Sequence, residues 1–346
     1  MSKPNIILIY SDQHRYDCLG VNGHPLLQTP NLDRLAGGGA NFSHAFTPIP
    51  ICIPARCSLL TSQWPQQHGV VANFDAETFR PIDKDVPTFP RVLRDGGYHT
   101  IHVGRWHVDR KLSPLDFGFQ EYVADWRYGK WRNGKHLPPV PRDAGWRGQV
   151  DPHIDPSQSS LAFQADQVVR QIDYSREVAE RFFIRWHTIE PHLPCRPCEP
   201  YASMYDPADI EPWAGFDDDF HDKPYAQKQL RVNWDVQDMT WDDWAPFVAR
   251  YLGVITQLDD QVGRVMKALD ERGLADDTLV VYTSDHGDLC GSHGLPDKHF
   301  VMYDDVVRVP MMMRWPGRIA PAQQLDQFIS NAIDLGPTFC GAAALE

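Results

Sequence analysis

The sequence lacks several features that would place a protein in a membrane or on nucleic acid. No run approaches the roughly 20 apolar residues that cross a bilayer, and the start has no basic segment followed by an apolar run and a cleavage site. Basic residues are the minority, since 33 Lys and Arg face 46 Asp and Glu. We therefore expect a cytoplasmic protein without a membrane or nucleic-acid partner, in which an anionic substrate needs a local positive pocket.

Cysteine is also scarce. The seven cysteines are an odd number and are scattered, without the density or the secretory context of a disulfide scaffold. Cys195 and Cys198 form a C-x-x-C pair, but a zinc ribbon needs a second pair at suitable spacing, and the sequence has none. We expect most cysteines to be reduced and this pair to have a structural role.

Apolar runs and helical patterns alternate through most of the 346 residues. The predicted strands are residues 5–10, 100–103, 182–186, 278–282 and 310–314, and the predicted helices are residues 31–36, 89–94, 160–181 and 251–272. This alternation predicts an α/β fold with a doubly wound, mostly parallel sheet and helices on both faces. Residues 125–151 and 201–244 break the rhythm, which predicts two insertions in a single catalytic domain spanning residues 1–346.

Two acidic turns follow predicted strands that lie far apart in the sequence. Asp12 and Gln13 come after the first strand, and Asp285 and His286 come after the strand at residues 278–282. If these strands are neighbours, four oxygen or nitrogen donors meet at one edge of the sheet, which predicts a divalent-cation site. The alternative is that each Asp caps a following helix or turn.

A third segment changes the interpretation of these turns. In Cys52-Ile53-Pro54-Ala55-Arg56, the cysteine precedes a predicted helix with an early proline, whose free N–H groups favour an anion. A single cysteine is more often an inert core residue. However, the run resembles the sulfatase signature, Cys-x-Pro-x-Arg with Leu-Thr a fixed distance further on. Other segments also resemble that family in its order, namely residues 4–20, 29–36, 104–107, 191–194, 258–288, 298–317 and 333–338.

The resemblance implies the alkaline phosphatase-like fold and hydrolysis of small sulfate esters. It implies that a maturation enzyme oxidises Cys52 to formylglycine, which then attacks the ester, while His192 or Lys298 protonates the leaving alcohol and His107 helps to release sulfate. The implied metal ligands are Asp12, Gln13, Cys52, Asp285 and His286. The implied catalytic residues are Cys52, Arg56, His107, His192 and Lys298, and the implied substrate-binding residues are Arg105 and Asn73.

The sequence departs from the family pattern at three positions. Gln13 replaces a common Asp, Arg105 replaces the usual Lys, and Ser62 replaces the Gly that commonly ends the signature. Fewer carboxylates beside the imidazole of His286 leave manganese or another transition metal as alternatives to calcium. The Asp-Gln and Asp-His pairs also resemble the phosphonate monoester hydrolase branch. Hydrolysis of phosphonate monoesters or phosphodiesters is therefore the alternative function, and an inactive anion-binding protein is a third.

Two further expectations concern the insertions and the C-terminus. Trp126, Trp131 and Trp146 either offer flat surfaces to a sugar or aryl group or simply pack the insertion, and the sequence favours neither. The family usually adds a small C-terminal subdomain, and this sequence ends soon after residues 334–338. We therefore expect that subdomain to be absent or truncated, and the sequence predicts no oligomeric state.

Overall fold

A computed structural model describes residues 3–74, 76–298 and 301–345. Within these residues the strands, in chain order, are β1 (Asn5–Asp12), β2 (Ala40–Phe42), β3 (Ala45–Phe46), β4 (His99–Gly104), β5 (Glu121–Ala124), β6 (Phe182–Pro191), β7 (Thr278–Ser284), β8 (Met311–Arg314), β9 (Gln323–Leu325) and β10 (Ile329–Ser330). The α-helices are α1 (Pro30–Gly37), α2 (Cys52–Thr61), α3 (Pro65–His68), α4 (Phe89–Asp95), α5 (Arg127–Gly134), α6 (Ser160–Glu177), α7 (Tyr225–Asn233), α8 (Trp241–Glu271), α9 (Asp304–Val307) and α10 (Leu335–Ala342).

The main sheet has the strand order β5-β4-β6-β1-β7-β8-β2-β9. β1 pairs in parallel with both β6 and β7, and β4 pairs in parallel with β5 and β6. β8 runs antiparallel to β7 and to β2. The predicted α/β fold with a mostly parallel sheet is therefore confirmed, and β1 lies near its middle.

Alternate residues of β1 point into two different cores, because successive side chains of a strand face opposite sides of the sheet. Ile6 and Leu8 pack in a cluster with side chains of α2, α4 and α10. Ile7 and Ile9 pack in a second cluster with side chains of α1, α6 and α8. Helices thus cover both faces, and this explains why every residue of β1 is buried.

Several element ends differ from the prediction. β1 and β7 continue beyond residues 10 and 282, because their parallel pairing extends to Ser11 and Ser284. The helix predicted over residues 160–181 ends at Glu177, and Ala179 then adopts a left-handed conformation before β6. α8 begins at Trp241 instead of residue 251, because Thr240 is its N-cap and forms a capping box with Asp243.

The two segments predicted to be insertions, residues 125–151 and 201–244, pack through their tryptophans. Trp146 contacts the rings of Trp234 and Trp244 in a shared hydrophobic cluster, and Trp131 stacks on Tyr128. Packing therefore accounts for Trp131 and Trp146, whereas Trp126 is 58% exposed. The described helices include none with the length and apolar character needed to cross a bilayer.

Candidate active site

The two acidic turns meet at the carboxyl edge of the sheet. Asp12 is the last residue of β1, and Asp285 follows β7 directly. The Asp285 Oδ1 atom accepts hydrogen bonds from the backbone N–H groups of Gln13, at 3.1 Å, and of His286, at 2.9 Å. The parallel pairing of β1 with β7 therefore brings the two sequence segments into direct contact.

Cys52 completes this group from the other side. It is the first residue of α2, with Ile51 as the N-cap, so it belongs to the helix that it was predicted to precede. Its Sγ atom lies 3.2 Å from His286 Nε2 and 3.9 Å from Asp12 Oδ1. One ligand atom from each of Asp12, Cys52, Asp285 and His286 lies within 4.8 Å of the others, and all four residues are buried.

The chemistry of this donor set fits a divalent cation. Two carboxylates and an imidazole suit manganese and other transition metals, while the carboxylate oxygens also suit calcium. Buried carboxylates this close together repel each other unless positive charge lies between or beside them. The group therefore has both the donors and the electrostatic need for a cation.

Arg56 supplies part of that positive charge. It lies one helical turn after Cys52 on α2, so the two side chains share a face of the helix. Its guanidinium donates to Asp12 Oδ2 at 2.5 Å and to Asp285 Oδ2 at 2.8 and 3.0 Å. Burial opposes ionisation of Asp12, but Arg56 and its cationic neighbours hold the pKa of that carboxyl well below its usual value. Burial and the charge of Asp12 instead raise the pKa of Asp285.

Lys298 is the buried centre of a second polar network. Its Nζ atom lies 2.9 Å from Asp297 Oδ1, 2.7 Å from Gln13 Oε1 and 2.9 Å from His192 Nε2. An ammonium group can only donate, so His192 Nε2 must accept this hydrogen bond. His192 therefore carries its proton on Nδ1, which donates to the backbone carbonyl of Leu193.

The cationic residues favour negative charge at position 52. Burial alone would raise the pKa of the Cys52 thiol, but Lys298, His286 and a hydrogen bond with His107 hold it well below its usual value. Arg105 adds a further positive charge beside the site, since its Nη1 atom donates to Asp12 Oδ2 at 3.0 Å. The site can therefore stabilise an anionic group beside residue 52.

Asn73 lies at the beginning of α2. Its Oδ1 atom accepts a hydrogen bond from the backbone N–H of Ile53 at 3.1 Å, which satisfies one of the free donors of that helix end. This contact positions the turn that presents Cys52. A contact between Asn73 and substrate stays a prediction.

Two acidic residues of the site were missed in the sequence. The Gln13 amide donates to Asp288 Oδ2 at 2.6 Å and to Asp297 Oδ1 at 2.9 Å. Both residues stand next to predicted site segments, since Asp288 follows His286 by two positions and Asp297 precedes Lys298. The network explains the departure at position 13, because an amide can donate to two carboxylates and a third carboxylate could not.

Comparisons with known proteins show the family of this chain. The sulfatase family profile matches residues 4–345. The chain belongs to the sulfatase family. It is 30% identical over 360 residues to the uncharacterized sulfatase YidJ of Escherichia coli, covering 100% of this chain and 69% of that one. It is 30% identical over 369 residues to an arylsulfatase of Clostridium perfringens, covering 97% and 74% of the two chains. The protein is therefore an enzyme of the sulfuric ester hydrolase family, whose members use a metal ion.

A solved structure confirms the superfamily and the branch that the sequence resembles. The phosphonate monoester hydrolase of Agrobacterium radiobacter superposes with a TM-score of 0.86 at 28% sequence identity. The superposition covers 99% of this chain and 74% of that one. This sulfatase-family chain thus has the alkaline phosphatase-like fold, with a neighbour in the phosphonate monoester hydrolase branch.

Proposed function

We propose that this sulfatase-family protein hydrolyses a small sulfate ester with a formylglycine made from Cys52 and one divalent cation. The observation that carries the proposal is the convergence of Cys52 with Asp12, Asp285 and His286 within 4.8 Å. A maturation enzyme would be the partner that oxidises the cysteine. Hydrolysis of a phosphonate monoester or phosphodiester by the same residues is the second candidate, supported by Gln13 and by the likeness to the Agrobacterium enzyme.

The cation would be held by Asp12, Asp285 and His286, with Gln13 and residue 52 as the remaining ligands. When bound, it would supply Lewis-acid stabilisation of negative charge on the ester oxygens. Calcium is the first expectation for a site with carboxylate oxygens, and the imidazole makes manganese or another transition metal the alternative.

The chain positions the nucleophile through α2. Oxidation of Cys52 would supply a hydrated aldehyde with one hydroxyl to attack sulfur and another to release sulfate. Arg56 holds the carboxylates of Asp12 and Asp285 in place through hydrogen bonds. His107, which forms a hydrogen bond with residue 52, would accept a proton from it. Lys298 and Arg105 would neutralise charge on the non-bridging oxygens of the ester.

The leaving alcohol needs a proton, and His192 and Lys298 form a pair that can supply one. The Lys298 ammonium donates a hydrogen bond to His192 Nε2 at 2.9 Å, so a proton lies between these two nitrogen atoms. Either group can act as the general acid. We propose that Lys298 provides the proton and that His192 directs it toward the leaving oxygen.

The nucleophile is tested by mass spectrometry and by a matched pair of variants. Coexpression with a formylglycine-generating enzyme should make the peptide containing Cys52 about 18 Da lighter, the loss on conversion of thiol to aldehyde. Cys52→Ala should lower kcat by at least about 1,000-fold. Cys57→Ala is the control, since Cys57 lies on the same helix but packs in the core. Normal turnover by Cys52→Ala contradicts the proposal.

The substrate class and the metal need separate measurements. We expect 4-nitrophenyl sulfate to be hydrolysed more efficiently than 4-nitrophenyl phenylphosphonate, and the reverse order would favour the second candidate. Chelation should abolish activity, and elemental analysis should then show the loss of one cation from the wild type. Asp285→Asn protein should contain less metal from the outset. Full activity of metal-free protein would rule out the cation.

A further inference from the structure

Lys298, the proposed proton donor, lies at the end of a loop that follows β7. We call residues 288–298 the Lys298 loop. Three of its non-glycine residues, Cys290, His293 and Asp297, have left-handed backbone conformations, with φ angles of 48°, 57° and 61°. Residues with a side chain rarely adopt this conformation, and it persists where the surrounding structure holds it. The shape of this loop therefore depends on contacts from other parts of the chain.

Backbone hydrogen bonds inside the loop link its middle to Lys298. The Leu289 N–H donates to the Asp297 carbonyl at 2.7 Å, and the Gly291 N–H donates to the Leu295 carbonyl at 2.9 Å. The two halves of the loop thus pair with each other, and Asp297 directly precedes Lys298. A displacement of the middle of the loop would therefore move Lys298 relative to the partners of its side chain.

The segment of residues 201–244, predicted to be an insertion, binds the middle of the Lys298 loop. Arg231 on α7 donates to the His293 carbonyl through Nη2 at 2.6 Å and through Nε at 3.2 Å. Trp213 donates from Nε1 to the Cys290 carbonyl at 2.8 Å. Both acceptors belong to residues with left-handed backbones. The segment therefore holds the loop where its conformation is least favourable by itself.

The His293 side chain makes a third contact with the same segment. Its Nδ1 atom lies 2.7 Å from Asp218 Oδ2. Burial opposes ionisation of Asp218, but hydrogen bonds from Lys223, from the backbone N–H of Phe220 and from His293 lower its pKa to about 2. Asp218 is therefore a carboxylate at neutral pH, which accepts a hydrogen bond from the Nδ1–H group of His293. The ring is thus held by the same segment as the His293 carbonyl.

The loop and the segment also pack closely at two glycines. A side chain at Gly294 would bring its Cβ to 2.4 Å from Arg231 Nη2, and one at Gly215 would bring its Cβ to 2.8 Å from the His293 ring. Non-bonded heavy atoms in contact lie about 3.5–4.0 Å apart, so neither position has room for a larger residue. The two surfaces therefore fit in one arrangement, which fixes the loop relative to α7.

We infer that Trp213, Asp218 and Arg231 are positioning residues for Lys298, because they hold the Lys298 loop in the shape that brings the ammonium group to His192. The inference rests on the proposed function, since it takes Lys298 as the source of the proton. These three residues act through Lys298, so their removal should have little effect on turnover where Lys298 is already absent.

Kinetics of single and double variants test this dependence. Arg231→Ala should lower kcat for phenyl sulfate by about 10- to 100-fold with little change in KM, because a displaced general acid loses much of its effect. The loss should be smaller for 4-nitrophenyl sulfate, whose leaving group is less basic and needs the proton less. In a Lys298→Ala background, Arg231→Ala should lower kcat by less than about 2-fold. An equally large loss in both backgrounds would overturn the inference.

Two further variants serve as controls. Arg231→Lys keeps a cation that can donate to the His293 carbonyl, and it should retain most of the wild-type kcat. Lys228→Ala removes a charge from an exposed position of the same helix and should leave kcat unchanged for both esters. A loss in Lys228→Ala as large as that in Arg231→Ala would mean that the charge of α7, and not the contact with the loop, determines turnover.

Hydrogen exchange tests the contact without turnover. Mass spectrometry should show that amides of residues 289–295 exchange at least about 10-fold faster in Arg231→Ala than in the wild type or in Lys228→Ala, while residues 5–12 of β1 exchange as before. Unchanged exchange in the loop, or equally faster exchange in β1, would overturn the inference. Failure of the wild type to hydrolyse any sulfate ester would instead overturn the proposed function and leave the exchange result as it is.

Discussion

Two buried arginines differ in whether carboxylate groups lie beside their guanidinium charge. Arg56 and Arg185 are both fully buried. Arg56 donates to Asp12 and Asp285, whereas the three guanidinium nitrogens of Arg185 have no hydrogen-bond partner among the described residues. An unpaired buried charge is costly, and of these two arginines Arg56 is the one with carboxylate partners. The pair shows that an arginine can be buried in this fold without a carboxylate partner among the described residues.

The surroundings of Arg185 sharpen this contrast. Its guanidinium lies 5.0 Å from the ring of Tyr10, and the ring of His187 lies 5.1 Å from that of Tyr10. The Tyr10 hydroxyl, both ring nitrogens of His187 and Nδ1 of His102 also lack partners among the described residues. Burial, together with Arg185 and Arg56, holds the pKa values of both histidines well below the usual range. The histidines are therefore neutral, and Arg185 carries the charge of this cluster.

The largest effect should follow removal of the compensated charge. Arg56→Met leaves Asp12 and Asp285 buried without their guanidinium, and we expect the free energy of unfolding to fall by about 3–5 kcal/mol in the presence of a chelator. Urea unfolding at neutral pH measures this change. Arg56→Lys keeps a positive charge and should lose less. A Met variant as stable as the wild type would show that Arg56 does not compensate the carboxylates.

A smaller effect should follow a change of charge at Gln13. Gln13→Glu replaces the amide that donates to Asp288 and Asp297 with a third carboxylate, and we expect a loss of about 2 kcal/mol in unfolding free energy. The double variant Gln13→Glu with Asp297→Asn should recover part of that loss, because it restores an amide between carboxylates. Chemical denaturation of the wild type, the two single variants and the double variant gives the coupling energy between positions 13 and 297. No recovery in the double variant would argue against this network.

The cluster of Asp12, Cys52, Asp285 and His286 could largely be predicted from the sequence, and the Arg185 cluster could not. Asp12 and Asp285 end apolar runs, and a run that is buried on both faces predicts a central parallel strand whose end carries the site. Cys52 and Arg56 lie four residues apart in one short motif, so a single helix fixes their relative position without tertiary contacts. Arg185 stands inside an apolar run, where the pattern favours an ordinary strand residue and gives no sign of its neighbours.

The bonding at position 13 could be predicted only in part. The substitution of Gln for the common Asp is visible in the sequence, but its partners come from Asp288 and Asp297, which later segments contribute. Tertiary contacts of this kind leave no periodic pattern. The beginning of α8 was missed for a local reason, since the capping residues Thr240 and Asp243 lie in a stretch that reads as an acidic loop.

The smallest expected effect is a change in unfolding free energy at Arg185 that is opposite in sign to the change at Arg56. Arg185→Met removes an unpaired buried charge and keeps an apolar side chain of similar length beside Tyr10, so we expect the free energy of unfolding to rise by about 1 kcal/mol. Arg185→Lys keeps the charge and should bring no such gain. Urea unfolding of both variants beside Arg56→Met tests the comparison directly. A loss of several kcal/mol in Arg185→Met would mean that solvent or an ion compensates this guanidinium, and the two arginines would then be alike.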